Sequence, residues 1–349
     1  MSKSIFSKRF RYRQNYINSS MSPNALKVKE RIRAKIDNGT YKLEACNCFC
    51  GSNESILISE MDRYGNYYPF VLCKKCGIMR ASPRLTKESY VNLYTYDYRT
   101  LYGDNDWDKN KLFKMKLQQA REAHRFIAKY ITLPPNAVVF DIGCNMGTML
   151  LPFHQNGCEV MGVDYGIEYI EFGRQKTGLN LQVGGIEKLR DFGGRADLVI
   201  LNHVLEHFID LENELAAIRK IIKPDGYIFI DLPGTLWWIK KICKGNILSV
   251  LQNAHTWQFS LSALRYVMEC CGFELIYGNE EIKSIFKLSS ILKDRTAVPH
   301  GEFDKVLAHL RAMEDVYLFK SYLFKPAEML GIKEIMKNAM QRIKDTRYE

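Results

Sequence analysis

The stretch Ala137-Val-Val-Phe-Asp141-Ile-Gly143-Cys-Asn145-Met-Gly147-Thr148 decides the fold. A run suited to a buried strand ends in an acid, passes through a turn holding two glycines, and enters the apolar start of a helix. That order brings backbone amides close to a ligand. The spacing is Gly-x-x-x-Gly, which departs from the dinucleotide pattern Gly-x-Gly-x-x-Gly at its second and third glycines. Asn145 stands in the turn instead, and asparagine is the non-glycine residue that best tolerates a positive φ, so the turn is expected to survive. Seventeen residues beyond Gly147, a second buried run, 159–163, ends in Asp164, a position suited to accepting hydrogen bonds from ribose hydroxyls.

Working outward, Pro134-Pro135 is a hard break before the first strand, and an amphipathic helix is expected over Lys111–Ile131 ahead of it. Downstream, strand-like runs near 181, 197 and 227 alternate with helical stretches near 147, 167 and 212. This alternation predicts right-handed crossovers and a doubly wound α/β parallel sheet with helices on both faces. Ligands of such sheets sit at the carboxyl ends of the strands, where Asp141, Gly143, Asp164, Asn202 and His203 fall. A last strand is expected over Ser284–Leu292, followed by helical segments over Glu302–Arg347 without a motif.

Four motifs in order, Asp141-Ile-Gly-Cys-Asn-Met-Gly147, Val163-Asp164, Ala196-Asp-Leu-Val-Ile-Leu-Asn-His-Val-Leu-Glu-His207 and Lys223-Pro-Asp-Gly-Tyr-Ile-Phe-Ile-Asp-Leu-Pro233, resemble those of class I S-adenosylmethionine-dependent methyltransferases. The likeness runs from about 110 to 282. It implies a Rossmann-like methyltransferase sheet, with Gly143 and Gly147 along the methionine part of the cofactor, Asp164 on the ribose, and Ile186 and Glu187 bordering the adenine. Asn145 replaces the usual middle glycine. Together with the cysteines described next, Pro83-Arg84-Leu85, a tyrosine-rich stretch and Ala254-His255-Thr-Trp-Gln-Phe-Ser260, the sequence also resembles a bacterial subgroup with an N-terminal zinc module. That resemblance implies methylation of sugars in surface polysaccharide biosynthesis.

Five of the ten cysteines lie between 46 and 76, as Cys46-Asn-Cys48-Phe-Cys50-Gly51 and Cys73-Lys-Lys-Cys76-Gly77. Two short knuckles, each closed by a glycine, can set four thiolates around a structural zinc ion, Zn2+. Cys48, Cys50, Cys73 and Cys76 are the expected ligands, with Cys46 competing for a place in the first knuckle. Two β-like runs flank Asp62-Arg-Tyr-Gly-Asn66, a hairpin signal, which makes a zinc-ribbon-like module. Tyr90, Tyr94, Tyr96, Tyr98 and Tyr102 follow, readable equally as core packing or as a surface that stacks on sugars or bases.

The proportions, 46% hydrophobic and 26% charged over 349 residues, are those of an ordinary globular chain and exclude disorder. No apolar run reaches membrane-span length, and the first twenty residues lack the apolar core of a secretory signal, so a cytoplasmic protein is expected. Residues 1–42 hold eleven Lys/Arg against Glu30 and Asp37, most of the net charge of +11. This basic arm could meet nucleic acid or a peripheral anionic membrane, or stay solvated; within it, Pro23–Asp37 carries a helical apolar stripe. The expected organisation is therefore 1–42 basic arm with a helix, 43–109 zinc module and tyrosine-rich linker, 110–282 cofactor-binding domain, and 283–349 C-terminal strand and helical extension.

Methyl transfer is an in-line displacement at a sulfonium carbon, and a hydroxyl acceptor must also lose its proton. His207 and His255 are the candidate bases, and Glu206 could orient an imidazole or interact with the sulfonium side. His203-Val-Leu-Glu206-His207 also matches the zinc-peptidase pattern His-x-x-Glu-His, but the preceding strand leaves His203 at a strand end rather than on a shared helical face. Trp237, Trp238 and Trp257 could wall the acceptor or simply pack. The favoured acceptor is a small molecule or glycan, such as a saccharide or nucleotide sugar. The alternatives are an RNA-directed zinc-ribbon protein, which the nearly neutral body argues against, and a quinone-like O-methyltransferase.

Overall fold

The computed structural model of the chain describes residues 7–13, 21–102 and 108–329. Residues 1–6 and 14–20 of the basic arm and the expected helix beyond 329 lie outside these. Eleven strands concern us here. Ser55–Met61 (β1), Tyr67–Cys73 (β2) and Met79–Ala81 (β3) precede Val138–Ile142 (β4), Glu159–Asp164 (β5), Asn180–Val183 (β6), Ala196–Asn202 (β7) and Ile222–Asp231 (β8). Trp257–Gln258 (β9), Phe273–Gly278 (β10) and Lys283–Leu288 (β11) complete the set.

The central sheet runs β10-β11-β8-β7-β4-β5-β6. Its β8, β7, β4, β5 and β6 are parallel neighbours, while β11 is antiparallel to both β8 and β10. Strands covered on both faces read as unbroken apolar runs, and every residue of β4 is buried. Chain order reverses between β4 and β7, which creates the crevice where open α/β sheets bind ligands. A boundary at 282 is corrected by this pairing. β11 is inserted between β8 and β10, so the sheet continues past that residue, and the expected strand over Ser284–Leu292 is shorter and inside the domain.

Helices Lys109–Tyr130 (α2), Ile167–Thr177 (α3), Leu211–Ile221 (α4), Thr235–Lys241 (α5), Leu261–Cys270 (α6) and Glu302–Met329 (α7) follow Pro23–Asp37 (α1). Their ends are chemically marked. Ser22 Oγ accepts from Ala25 N with Pro23 in the first turn of α1, Ser260 Oγ caps α6 through Ala263 N, and Gly178 closes α3 at φ 69°.

A smaller sheet, β9-β3-β2-β1, joins the two halves of the chain. Its hairpin turn is held by Asp62 Oδ1, which accepts from Tyr64 N and Asn66 N, both at 2.9 Å. Strand β9 comes from the segment after α5 and pairs antiparallel with β3, so the cysteine-bearing sheet is not a separate bead. The five clustered cysteines share one buried core with Ile228, Trp257 and Phe259. On the other side, Val28 and Ile32 of α1 pack with Tyr68, Leu236 and Leu310. That part of the basic arm is therefore docked, each such fully buried side chain stabilising by about 1.5–3 kcal/mol. No helix among the described residues is long and apolar enough to cross a membrane.

Candidate active site

The turn after β4 is built from left-handed residues: Gly143 at φ 76°, Asn145 at 52° and Gly147 at 72°. Asn145 thus adopts the conformation its residue type permits. A Cβ on Gly143 would lie 2.4 Å from Val204 Cγ2, and one on Gly147 would lie 2.7 Å from Leu181 Cδ2, so both glycines are also demanded by packing. The turn is tied to β5: Gly143 N and Cys144 N donate to Val163 O, and Asn145 N donates to Asp164 Oδ2 at 3.0 Å. Asp164 Oδ1 accepts from Gly166 N at 2.6 Å.

Asp141 is buried, and neither of its carboxylate oxygens has a hydrogen-bond partner. Burial, reinforced by the charge of Asp164, pushes its pKa well above the usual carboxylate range, with Lys116 pulling the other way. Lys116 on α2 is itself pushed down by burial while feeling both acids. Lys116 and the two carboxylates thus feel one another's charge near the glycine turn, a setting suited to a ligand that carries both charge signs. Nothing in the sequence singled out Lys116 from the other lysines of its helix.

Ile186 opens the short helical segment after β6, and exposed Glu187 accepts from Gly185 N through Oε1 at 2.7 Å. Asn202 ends β7, in register with Asp231 of β8. His203 follows at φ 57°, a strained setting for a histidine, with its N–H donating to Asp231 O at 2.7 Å. Its side chain, at the strand end where the sequence puts it, is 46% exposed. The backbone turns out of the strand here and carries the ring towards Trp238, 6.1 Å between ring centroids.

Beyond His203, a short turn over Leu205–His207 carries the acceptor-side residues. His207 Nδ1 lies 2.9 Å from Ala254 O and 2.8 Å from the Tyr94 hydroxyl. A carbonyl only accepts, so Nδ1 carries the proton and Nε2 keeps its lone pair. The His207 and His255 rings are perpendicular with centroids 4.8 Å apart, and Tyr94 and Tyr98 present further edges at 6.0 and 6.3 Å. Glu206 is fully buried between them. Burial pushes its pKa up, but His203, whose own pKa Glu206 raises, leads the neighbouring imidazoles in pulling it down to about 2. Burial drives His207 down, and burial with the proximity of His207 drives His255 down to about 3. Trp257 does not wall this space: it is buried and its Nε1 donates to Phe208 O at 2.8 Å. Tyr94 and Tyr98 do share one face at a spacing of four, and that spacing was the available signal for their grouping at His207.

At the other end of the small sheet the Sγ atoms of Cys48, Cys50, Cys73 and Cys76 lie within 4.8 Å of one another. Cys48 faces Cys76 at 3.4 Å and Cys50 faces Cys73 at 3.6 Å. Cys46 is turned away, its Sγ against Asn47 O at 3.6 Å, while its own carbonyl accepts from Arg80. Four converging buried thiols fit a tetrahedral thiophilic ion.

Residues 115–277 match the family described as methyltransferase domain. This match, over somewhat less than half of the chain, is to a methyltransferase domain and agrees with the α/β sheet and the glycine turn. The chain is similar to a ubiquinone biosynthesis O-methyltransferase of Bartonella bacilliformis, 30% identical over 104 residues, covering 28% of this chain and 42% of that protein. The chain is also similar to the C-methyltransferase NovU of Streptomyces niveus, 26% identical over 217 residues, covering 59% of this chain and 46% of that protein. The chain thus spans less than half the length of these curated relatives. Among solved structures, Burkholderia thailandensis 1,6-didemethyltoxoflavin-N1-methyltransferase is 18% identical, covers 61% of this chain and 96% of that one, and superposes with a TM-score of 0.45.

Proposed function

We propose that the chain transfers the methyl group of S-adenosylmethionine to a saccharide or nucleotide-sugar acceptor in polysaccharide biosynthesis. The observation that carries this reading is the buried Glu206 set among His203, His207 and His255 at the carboxyl edge of β7, beside the acids of the cofactor turn. Asp164 is at the β5 end where the ribose hydroxyls would be bound. The orphaned Asp141 carboxylate suits the ammonium of the methionine part, and Lys116 its carboxylate.

On the acceptor side partly exposed imidazole and phenol groups, of His203, His207, Tyr94 and Tyr98, stand over the buried Glu206 carboxylate, which suits a ligand with several hydroxyls. The His207 Nε2 lone pair lies in this cluster, and an acceptor placed there would give up its proton to the cluster while the methyl group arrives in line from the sulfonium. The similarity to NovU extends over more residues than the methyltransferase domain holds, which supports an acceptor region in common. A second reading, a quinol-like acceptor, draws on the ubiquinone-pathway relative, whose likeness is confined to 104 residues. We assign Cys48, Cys50, Cys73 and Cys76 to a structural zinc ion, whose chemistry is to hold the two knuckles together.

The test is methyl transfer from labelled cofactor, screened against nucleotide sugars, glycans, quinols and RNA. Label entering a nucleotide sugar or glycan supports the proposal. Label entering only a quinol or RNA overturns it.

A further inference from the structure

We infer that Glu206, His207 and His255 form a second metal site, one that takes a divalent transition-metal ion of the zinc, iron or manganese type on the acceptor side. One carboxylate oxygen and one ring nitrogen from each histidine lie within 4.8 Å of one another. An ion about 2.1 Å from each of three ligands holds them about 3.4–3.6 Å apart, so binding would draw the widest pair together by up to about 1.4 Å, a side-chain rotation rather than a change of fold.

Three observations point to a cation here. First, Glu206 is 1% exposed and neither of its side-chain oxygens accepts a hydrogen bond. A buried carboxylate without hydrogen bonds is costly, and the imidazoles that face it at ion-pair distance leave its oxygens open to a cation. The nearest nitrogens are His203 Nδ1 at 3.6 Å and His207 Nε2 at 3.9 Å, both beyond hydrogen-bond reach. Second, the proton of His207 is committed to Ala254 O through Nδ1, so the nitrogen facing Glu206 is the one with the lone pair. Two electron-pair donors directed at one space repel unless a cation lies between them. Third, a ring N–H held by a backbone carbonyl is the arrangement that fixes the tautomer of metal-bound histidines.

The ligands come from two segments, the turn after β7 and the loop before β9. They are locked together by Thr256 N donating to Glu206 O at 2.9 Å. His203 is not among the three ligands, so the set differs from the helical His-x-x-Glu-His arrangement. Three protein ligands leave room for an exchangeable one, the pattern of catalytic rather than structural sites. Ion binding here is independent of the acceptor assignment, whereas its role rests on that assignment and replaces the histidine base in the loaded protein: with both imidazoles coordinated, the ion would take an acceptor oxygen as fourth ligand and lower its pKa, and the proton would leave to solvent.

Cobalt(II) titration of the reduced, metal-stripped full chain tests the inference, with metal content measured in parallel. Wild-type protein should take up two equivalents, one giving the intense thiolate charge-transfer absorption and one giving only the weaker bands of a nitrogen and oxygen site. Glu206→Gln, which preserves shape, and the His207→Gln, His255→Gln double variant should each lose the weak-band equivalent and keep the thiolate one. Retention of the thiolate spectrum reports that these variants are folded. A wild-type chain that saturates with the thiolate equivalent alone overturns the site, as does a weak-band equivalent that survives both variants. Because no acceptor is present, failure of the methyl-transfer screen leaves this result untouched, and the converse holds as well.

Discussion

Trp257 lies opposite Arg80 in an antiparallel pair, although one belongs to the methyltransferase domain and the other to the cysteine-bearing sheet. The pairing is laced to the site by backbone bonds. Ala81 N donates to Thr256 O at 3.0 Å, and Thr256 N donates to Glu206 O at 2.9 Å. Arg80 in turn reaches the carbonyl of Cys46 at 2.8 Å. Two hydrogen-bonded steps therefore connect the cysteine sheet to the turn that carries Glu206 and His207.

Removing the thiolates should be felt at the acceptor side. Cys73→Ser with Cys76→Ser is expected to lower bound zinc by one equivalent per chain and to lower the melting temperature, since ion binding and folding are one process in so small a sheet. Methyl transfer should fall more than cofactor affinity, because β9 pairs with β3 while the cofactor turn is tied to β5. Metal analysis showing full occupancy in the double variant would reject the four-cysteine site.

Asp164→Ala removes the carboxylate assigned to the ribose and should weaken S-adenosylmethionine binding by about 1.5–3 kcal/mol, the worth of hydrogen bonds to a charged group. Titration calorimetry reads this as roughly a tenfold or greater rise in Kd. Since Asp164 also accepts from Asn145 N and Gly166 N, a melting curve must accompany the measurement. Unchanged affinity in a folded variant would remove Asp164 from the cofactor site.

A pH test is available away from both proposed metal sites. Asp97, fully buried, receives the Lys35 ammonium, the Tyr41 hydroxyl and the Arg31 guanidinium, and so fastens α1 to the tyrosine-rich helical run. Burial pushes its pKa up, but these three partners prevail and leave it below the ordinary aspartate value. A depressed carboxylate pKa contributes stability that is complete above the unfolded value, about 3.9, and is lost as pH falls through the folded one. Asp97→Asn should cost about 1.5–3 kcal/mol at pH 7, and the gap to wild type should narrow below about pH 4. Denaturant melts at both pH values measure it; a gap that widens on acidification contradicts the pairing.

How much of this was legible depends on whether the signal was local. The parallel strands could be read because burial on both faces forces runs such as Val138–Ile142, and the strand-end acids Asp141 and Asp164 came with them. Strand β10 escaped because exposed Glu274 and Ile276 break the apolar run, and its partner β11 was then assigned outside the domain. Asn145 could be anticipated from its own backbone preference. The contact of Tyr94 with His207, or the nearness of Lys116's charge to the two acids, could not, because helical spacing tells which residues share a face and not what that face meets.

The histidines carry the last expectation. If the acceptor is a sugar hydroxyl, its proton leaves in the course of transfer and must pass to the Glu206, His207 and His255 cluster. His207→Ala or His255→Ala should then lower turnover by roughly 10²–10⁴. Cofactor affinity should stay nearly unchanged, because neither ring touches the β4 turn or Asp164. His203→Ala is expected to act differently. Its ring is half exposed, so little packing is lost, but the backbone at φ 57° suits alanine less well than histidine or glycine. His203→Gly should therefore melt at or above the temperature of His203→Ala, whatever the two do to turnover. Near-normal turnover in both His207→Ala and His255→Ala on an identified hydroxyl acceptor would move the proton acceptor elsewhere, whereas the same result on a carbon or nitrogen acceptor would mean that transfer needs no base.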